Sequence, residues 1–245
     1  RPNPPLDLGP DPVPGVRVLR TGGRGPAAAR NTGWRIVRTE WVAFLDDDVV
    51  PPRDWKRQVT SDLAKLGLDV GASQARIVVP LPEDRRPTDW ERGTAGLADA
   101  RYITADMAYR RAALVHAGGF DERFPRAYRE DAELALRVQA HGYRIVNGDR
   151  VTTHPVREAD FFASLRQQRG NADDALVRRL LGPRWRERMG GVPGRLPWHV
   201  ATTASGALAV LCGLLGWRKT AVASGVTWAG LTGWFAAQRI APGPR

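Results

Sequence analysis

Apolar residues recur along the chain with two spacings. Unbroken or alternating runs mark strands: Val16–Leu19, Trp41–Leu45, Val70–Val79, Tyr143–Val146 and Arg150–Thr153. The run Trp41-Val42-Ala43-Phe44-Leu45 carries no polar residue and reads as a buried strand of a parallel sheet. Between these runs the spacing is helical. Pro26 suits a first helical position and Ala27 to Asn31 continue from it. Pro51-Pro52 opens a helix with Trp55, Val59, Leu63 and Leu66 on one face. Tyr109–Ala117 ends at Gly118-Gly119, and Glu130–His141 places Leu134 and Val138 on one side before Gly142 closes it. Phe161–Leu181 reads as one basic helix. The segments rich in proline and glycine, 1–15 and 80–96, read as loops. Strands alternating with helices predict an α/β sandwich with a mostly parallel central sheet.

Residues 201–238 depart from this pattern. Two uncharged stretches, Ala201–Trp217 and Thr220–Gln238, flank Arg218-Lys219 and predict a C-terminal helical hairpin. Each is near the lower limit of a bilayer span and is diluted by alanine, glycine, serine and threonine. A complete crossing would carry the basic turn outside, against the positive-inside rule, if the rest of the chain is inside. The reading is therefore a domain over residues 1–200 and a hairpin over 201–245 attached to the inner face of the plasma membrane, with the four tryptophans Trp198, Trp217, Trp228 and Trp234 near the interface.

Composition changes the picture only in its charge. The 245 residues carry a net charge of +11, supplied almost wholly by arginine, since Lys56, Lys65 and Lys219 are the only lysines. Such a balance suits phosphate-rich ligands or anionic surfaces. The cations are dispersed and no nucleic-acid module accompanies them, so nucleic acid is not the partner of choice. Cys212 stands alone, which excludes an intrachain disulfide and a cysteine metal cage, and fits a reducing compartment.

Four groups of residues carry candidate chemistry. Asp46-Asp47-Asp48 follow the strand Trp41–Leu45, where α/β sheets bind ligands, and adjacent carboxylates there call for a divalent cation or a solvated turn. Glu130-Asp131 open a helix; they serve the helix dipole, or supply a general base. Arg24, Gly25, Arg30 and Asn31 surround a helix start suited to phosphate. His154 follows the last strand and can complete a metal site with carboxylates.

In order and spacing, RGPAAARNTG (24–33), WVAFLDDDVVPPRDW (41–55), ITADMAYRRAALVHAGGFDERF (103–124) and REDAELALRVQAHGYRI (129–145) resemble glycosyltransferase family 2 over residues 16 to about 155. The resemblance implies the nucleotide-diphospho-sugar transferase, or type A glycosyltransferase, fold and inverting transfer of a single sugar. It implies Mn2+ or Mg2+, a UDP-, GDP- or dTDP-sugar donor, and a glycan or lipid-linked acceptor. It gives Asp131 the role of base, and Asp46, Asp48 and His154 the metal. Arg24, Gly25, Arg30, Asn31, Asp46, Asp47, Asp106 and Glu130 would contact substrates, with the Gly118–Glu122 loop shaping the acceptor side. Asp106 stands where asparagine is common. The family's first strand and uracil-contacting acids have no counterpart, so the chain reads as starting within the fold. Gln167-Gln168-Arg169-Gly170 lacks the tryptophan of processive synthases, which favours single transfer over polymerisation. Nucleotidyl or phosphoryl transfer, and a non-catalytic protein retaining the fold, are the alternatives.

Overall fold

A computed structural model describes residues 15–191 and 194–244. The loop expected over residues 1–15 thus lies almost wholly outside the described residues. A four-stranded sheet, in the order β1-β3-β2-β4, contains β1 (Trp41–Leu45), β2 (Val70–Val78), β3 (Asp106–Arg110) and β4 (Arg144–Thr153). β1, β2 and β4 run one way and β3 runs against them, so most strands are parallel in direction. The ladders differ: β3 pairs antiparallel with both β1 and β2, and β2 with β4 is the parallel pair.

The helices α1 (Pro26–Ile36), α4 (Arg111–Ala117) and α5 (Glu130–Ala140) cover one face. Trp34, Val42, Phe44, Met107, Tyr109, Leu114, Leu134 and Val138 form the core there. The opposite face packs on α2 (Trp55–Ala64). A short helix α3 (Asp89–Ala95) precedes β3. Beyond β4 come α6 (Ala163–Gln167), α7 (Asp173–Leu181) and α8 (Trp185–Arg188), then the paired helices α9 (Leu196–Leu214) and α10 (Arg218–Ile240). Phe124, Ala135, Val177 and Trp185 join α5 to this C-terminal layer.

Several local expectations change. Val16–Leu19 is no strand: Val16 and Val18 are exposed and find no ladder partner. β1 is half-buried, with Val42 and Phe44 inward and Ala43 and Leu45 outward. Helix α2 starts at Trp55, after Pro51-Pro52, and Leu66 lies beyond its end. The loop over 80–96 contains α3, started by a capping box in which Thr88 and Glu91 exchange hydrogen bonds. The segment given wholly to a helix at Tyr109–Ala117 begins in β3. The strands expected at 143–146 and 150–153 are one strand, β4, with register shifts against β2. The single helix expected over 161–181 breaks into α6, a 3-10 turn and α7. The hairpin is present but starts at Leu196, and among the described residues no helix is long and apolar enough to cross a membrane.

β3 is buried along its whole length, including Asp106 and Arg110. Asp106 has no exposed surface. Its Oδ1 accepts from Arg150 Nε at 2.8 Å, and its Oδ2 accepts from Thr152 Oγ1 at 2.6 Å and Trp55 Nε1 at 2.7 Å. Asp106, expected from the sequence at the substrate, is thus placed inside the fold with both carboxylate oxygens engaged. Arg150, equally buried, also donates to Asp62, Ser73 Oγ and the Ser73 carbonyl. One network thus ties β2, β3, β4 and α2.

Asp106→Ala should leave Arg150 buried with only part of its charge compensated. The expected loss is about 3–5 kcal/mol of unfolding free energy, measured by urea titration followed by circular dichroism. A loss within experimental error would show that the network is dispensable.

Candidate functional site

The site lies where β1 ends and α5 begins. Arg30, on α1, joins them: its Nη2 donates to Asp46 Oδ1 at 2.7 Å and its Nη1 to Glu130 Oε1 at 2.6 Å. Its side chain is 13% exposed and Glu130's is 2% exposed. Burial works against the guanidinium charge, but the two carboxylates outweigh it and raise its pKa. The guanidinium also lies 5.5 Å from the Phe120 ring centroid, and Phe120 packs edge-on against Phe44 of β1.

Asn31, the neighbour of Arg30, builds this platform. Its Nδ2 donates to the Phe120 carbonyl at 2.8 Å and to Glu122, while its Oδ1 accepts from Phe120 N–H at 2.9 Å and Trp34 Nε1 at 2.8 Å. These four bonds use both donors and both lone pairs of the amide. Asn31 is buried and not free for a substrate, contrary to expectation. The fit requires Gly119: a Cβ there would lie 2.6 Å from Asn31 Oδ1, and its φ is +76°. Arg24 and Gly25 also serve this loop. Arg24 pairs with Glu122 on the surface at 3.1 Å. Gly25, with φ +97°, packs so closely on Pro125 that a Cβ would sit 2.9 Å from its carbonyl oxygen.

Asp131 follows Glu130 on α5. Its Oδ1 accepts from Ala132 N–H at 2.7 Å, with the Thr104 N–H close by. Burial raises its pKa, with Asp46 adding to the effect, against the backbone N–H groups and the Arg30 charge. Glu130 is pushed up to about 7, by burial first and then by the charge of Asp131, with Arg30 opposing. Its Oε2 is buried without a hydrogen-bond partner. The acid pair therefore holds a proton well above the ordinary carboxylate range.

Two non-glycine residues with left-handed backbone flank this pair. Arg129 (φ +76°) immediately precedes Glu130, and Tyr102 (φ +68°) lies two residues before Thr104. Arg129 is held from the C-terminal layer: its guanidinium lies 4.6 Å from the Tyr128 ring and 5.0 Å from the Trp185 ring, and its Nε donates to Asp174 at 3.2 Å. Gln74 of β2 fixes the other turn by accepting from the N–H groups of Tyr102 and Ile103.

The remaining acids separate. Asp46 turns to Arg30 while Asp48 faces His154, with Oδ1 and Nε2 3.5 Å apart. Asp47 stands in solvent, 91% exposed. Arg157, which no sequence motif marked, reaches Asp47 at 3.3 Å and Asp48 at 3.2 Å. The expected trio Asp46, Asp48 and His154 is not assembled, and among the described residues no group of three or more His, Cys, Asp or Glu side chains is arranged to hold a metal. The pair Asp48 and His154 nonetheless fits a divalent cation. His154 Nδ1 donates to the Pro155 carbonyl at 3.1 Å, which turns the Nε2 lone pair toward the carboxylate. Magnesium-type sites commonly use one or two protein ligands and take the rest from substrate phosphates and water.

A cleft of about 460 Å³ opens beside the Gly118–Phe120 turn, lined by Asp121, Arg123, Glu133 and Arg137 and closed by Leu180 and Leu181 of α7. Its charges are paired, Arg123 with Asp121 and Arg137 with Glu133.

Comparison with known proteins points in one direction. Residues 11–124 match the model of glycosyl transferase family 2. The pre-mycofactocin glycosyltransferases of two Mycobacterium tuberculosis strains are 30% identical over 136 residues. That alignment covers 50% of this chain and 28% of theirs, so the chain spans under a third of the length of these relatives. Among solved structures, glucosyl-3-phosphoglycerate synthase from Mycobacterium tuberculosis with Mn2+ and UDP-glucose aligns at 16% identity and a TM-score of 0.38, covering 74% of this chain and 59% of that one. The same enzyme with Mg2+ and UDP aligns at 16% identity and a TM-score of 0.37, with the same coverage. The family match spans three of the four motifs, so residues 11–124 are similar to glycosyl transferase family 2 and contribute to the mixed α/β sheet described above.

Proposed function

We propose that this chain transfers a single sugar from a nucleotide-activated donor, with inversion, to a glycan or lipid-linked acceptor at the inner face of the plasma membrane. The observation that carries the proposal is the Arg30 bridge, which brings the carboxylate at the end of β1 to the acid pair at the start of α5. Asp131 is the base. It takes the proton of the acceptor hydroxyl as that oxygen bonds to the anomeric carbon, and the nucleoside diphosphate leaves with the electron pair of the broken C–O bond. One displacement inverts the centre.

Asp48 and His154 would hold Mn2+ or Mg2+, which supplies Lewis-acid neutralisation of the diphosphate charge. Asp47 and Arg157 line the rim of the same site. Asp46 acts through Arg30. The Gly118–Phe120 turn and its cleft lie on the acceptor side, where a volume of about 460 Å³ suits a sugar unit. The donor base can be uridine, guanosine or deoxythymidine. The family match over residues 11–124 supports a nucleotide-sugar donor in general.

Asp131→Asn keeps the shape of the side chain but cannot accept the proton. Transfer should fall by roughly a hundred- to ten-thousand-fold with donor affinity retained, as read by product formation and by calorimetry with the donor. Normal transfer at saturating donor would remove Asp131 from the base role. Asp48→Ala should abolish Mn2+- or Mg2+-dependent transfer while the melting curve stays unchanged. A folded Asp48→Ala enzyme of near-normal activity would sink the metal assignment.

The pH profile tests the base in another way. Because Asp131 must be ionised and its pKa is raised, the acid limb of the rate profile should lie above the ordinary aspartate range. Arg30 favours the ionised form, so Arg30→Met should move that limb to still higher pH. A limb that moves to lower pH, or stays in place, contradicts the assignment.

A further inference from the structure

Helices α9 and α10 form an antiparallel pair about 28 and 34 Å long at 1.5 Å per residue. They pack on each other closely: a Cβ on Gly206 would lie 2.9 Å from the Trp228 ring. They meet the rest of the fold mainly at one end, where Arg239 pairs with Asp89 at 2.7 Å and Arg92 donates to the Arg239 carbonyl at 2.8 Å. Cys212 is the one buried residue in the two helices. Large apolar side chains face outward along both, among them Val200, Val210, Leu214, Val222 and Val226, each more than half exposed. An apolar surface of this extent calls for a partner.

The charges choose the partner. Glu187 is the last acidic residue of the chain, so nothing in the hairpin carries a negative side chain. Cations stand at both of its ends: Arg195 and Arg239 at the base, Arg218 and Lys219 at the tip. Aromatic rings accompany them. Trp217 is exposed beside the tip pair, and at the base Trp198 meets Trp234 and His199 meets Phe235 around a groove of about 90 Å³ that Arg195 also lines. Indole rings and arginine stems with apolar side chains between them match the boundary between head groups and acyl chains. A second copy of the hairpin would bring like charges together. Insertion tip first would draw Arg218 and Lys219 through hydrocarbon, which is costly.

We infer that the α9–α10 hairpin docks on an anionic phospholipid bilayer, lying along its surface with both cationic ends among the head groups. The inference rests on the membrane location proposed above and identifies the element and the lipid chemistry responsible. Lipid binding is measured without donor or acceptor, so its failure would leave the transfer reading untouched.

The experiment is cosedimentation of the full chain with phosphatidylcholine vesicles, with and without phosphatidylglycerol. The chain should bind the anionic vesicles, lose binding as salt is raised, and show a blue shift of tryptophan emission. Arg218→Gln with Lys219→Gln, both on the exposed tip, should lower the anionic partition by roughly 30-fold, at about fivefold per cation, and leave the circular dichroism melt unchanged. Leu214→Asn, at a side chain 82% exposed, should weaken binding to the same vesicles. Failure to bind either vesicle would overturn the inference. So would equal binding to both that ignores the Arg218 and Lys219 changes, or a concentration-dependent dimer by ultracentrifugation in which the hairpin is covered.

Discussion

The buried pair of Asp106 and Arg150 is the constraint on which the sheet depends. Taking two charges out of water is expensive, and the cost is met only when the remaining lone pairs and protons find partners. Here Thr152 and Trp55 complete the carboxylate, and Asp62 and Ser73 complete the guanidinium. The sheet face toward α2 is therefore joined by directed polar bonds, whereas the opposite face is closed by Trp34, Phe44, Tyr109 and their neighbours. Directed bonds fix register. They hold β3 between β1 and β2, and so fix where the chain emerges at Asp46 from β1 and at His154 from β4.

A second buried cation, Arg30, plays a different part. Arg150 closes a network within the fold, while Arg30 spans the seam between two elements whose acids would otherwise repel across a poorly solvated gap. The chain's surplus of positive charge is dispersed, and the seam between β1 and α5 is a knot of acids bridged by the Arg30 guanidinium. That arrangement raises the pKa of both Glu130 and Asp131 above the values they would have in water, by burial first.

What the residues reveal in advance depends on whether their partners are local. Trp41–Leu45 and Glu130–Ala140 were legible because a period and a terminus suffice to define them. α3 was equally legible from Thr88 and Glu91, three residues apart, but the surrounding prolines pointed to a loop. β3 was hidden for a physical reason: Asp106 and Arg110 bracket the apolar Met107-Ala108-Tyr109, yet both faces are buried because Asp106 meets Arg150 far along the chain. The same distance disguised Asn31, whose partners lie about ninety residues away and which reads from sequence as a ligand contact. Asp46 and Asp48 look alike in a run of three, and only the positions of Arg30 and His154 separate them. Arg157 belongs to no periodic pattern, and nothing local marks it.

The left-handed backbone at Arg129 ties the geometry of the acid pair to the C-terminal layer. A non-glycine residue in that region costs roughly 1–2 kcal/mol, and here the balance comes from Tyr128, Trp185 and Asp174 gripping the guanidinium. The first turn of α5 is thus a loaded spring whose catch lies on α7 and α8. Changes in those helices, which touch neither acid of the pair, can reset the aim of Asp131. A substitution on α7 or α8 would thus be felt at the acid pair without altering any residue that lines it.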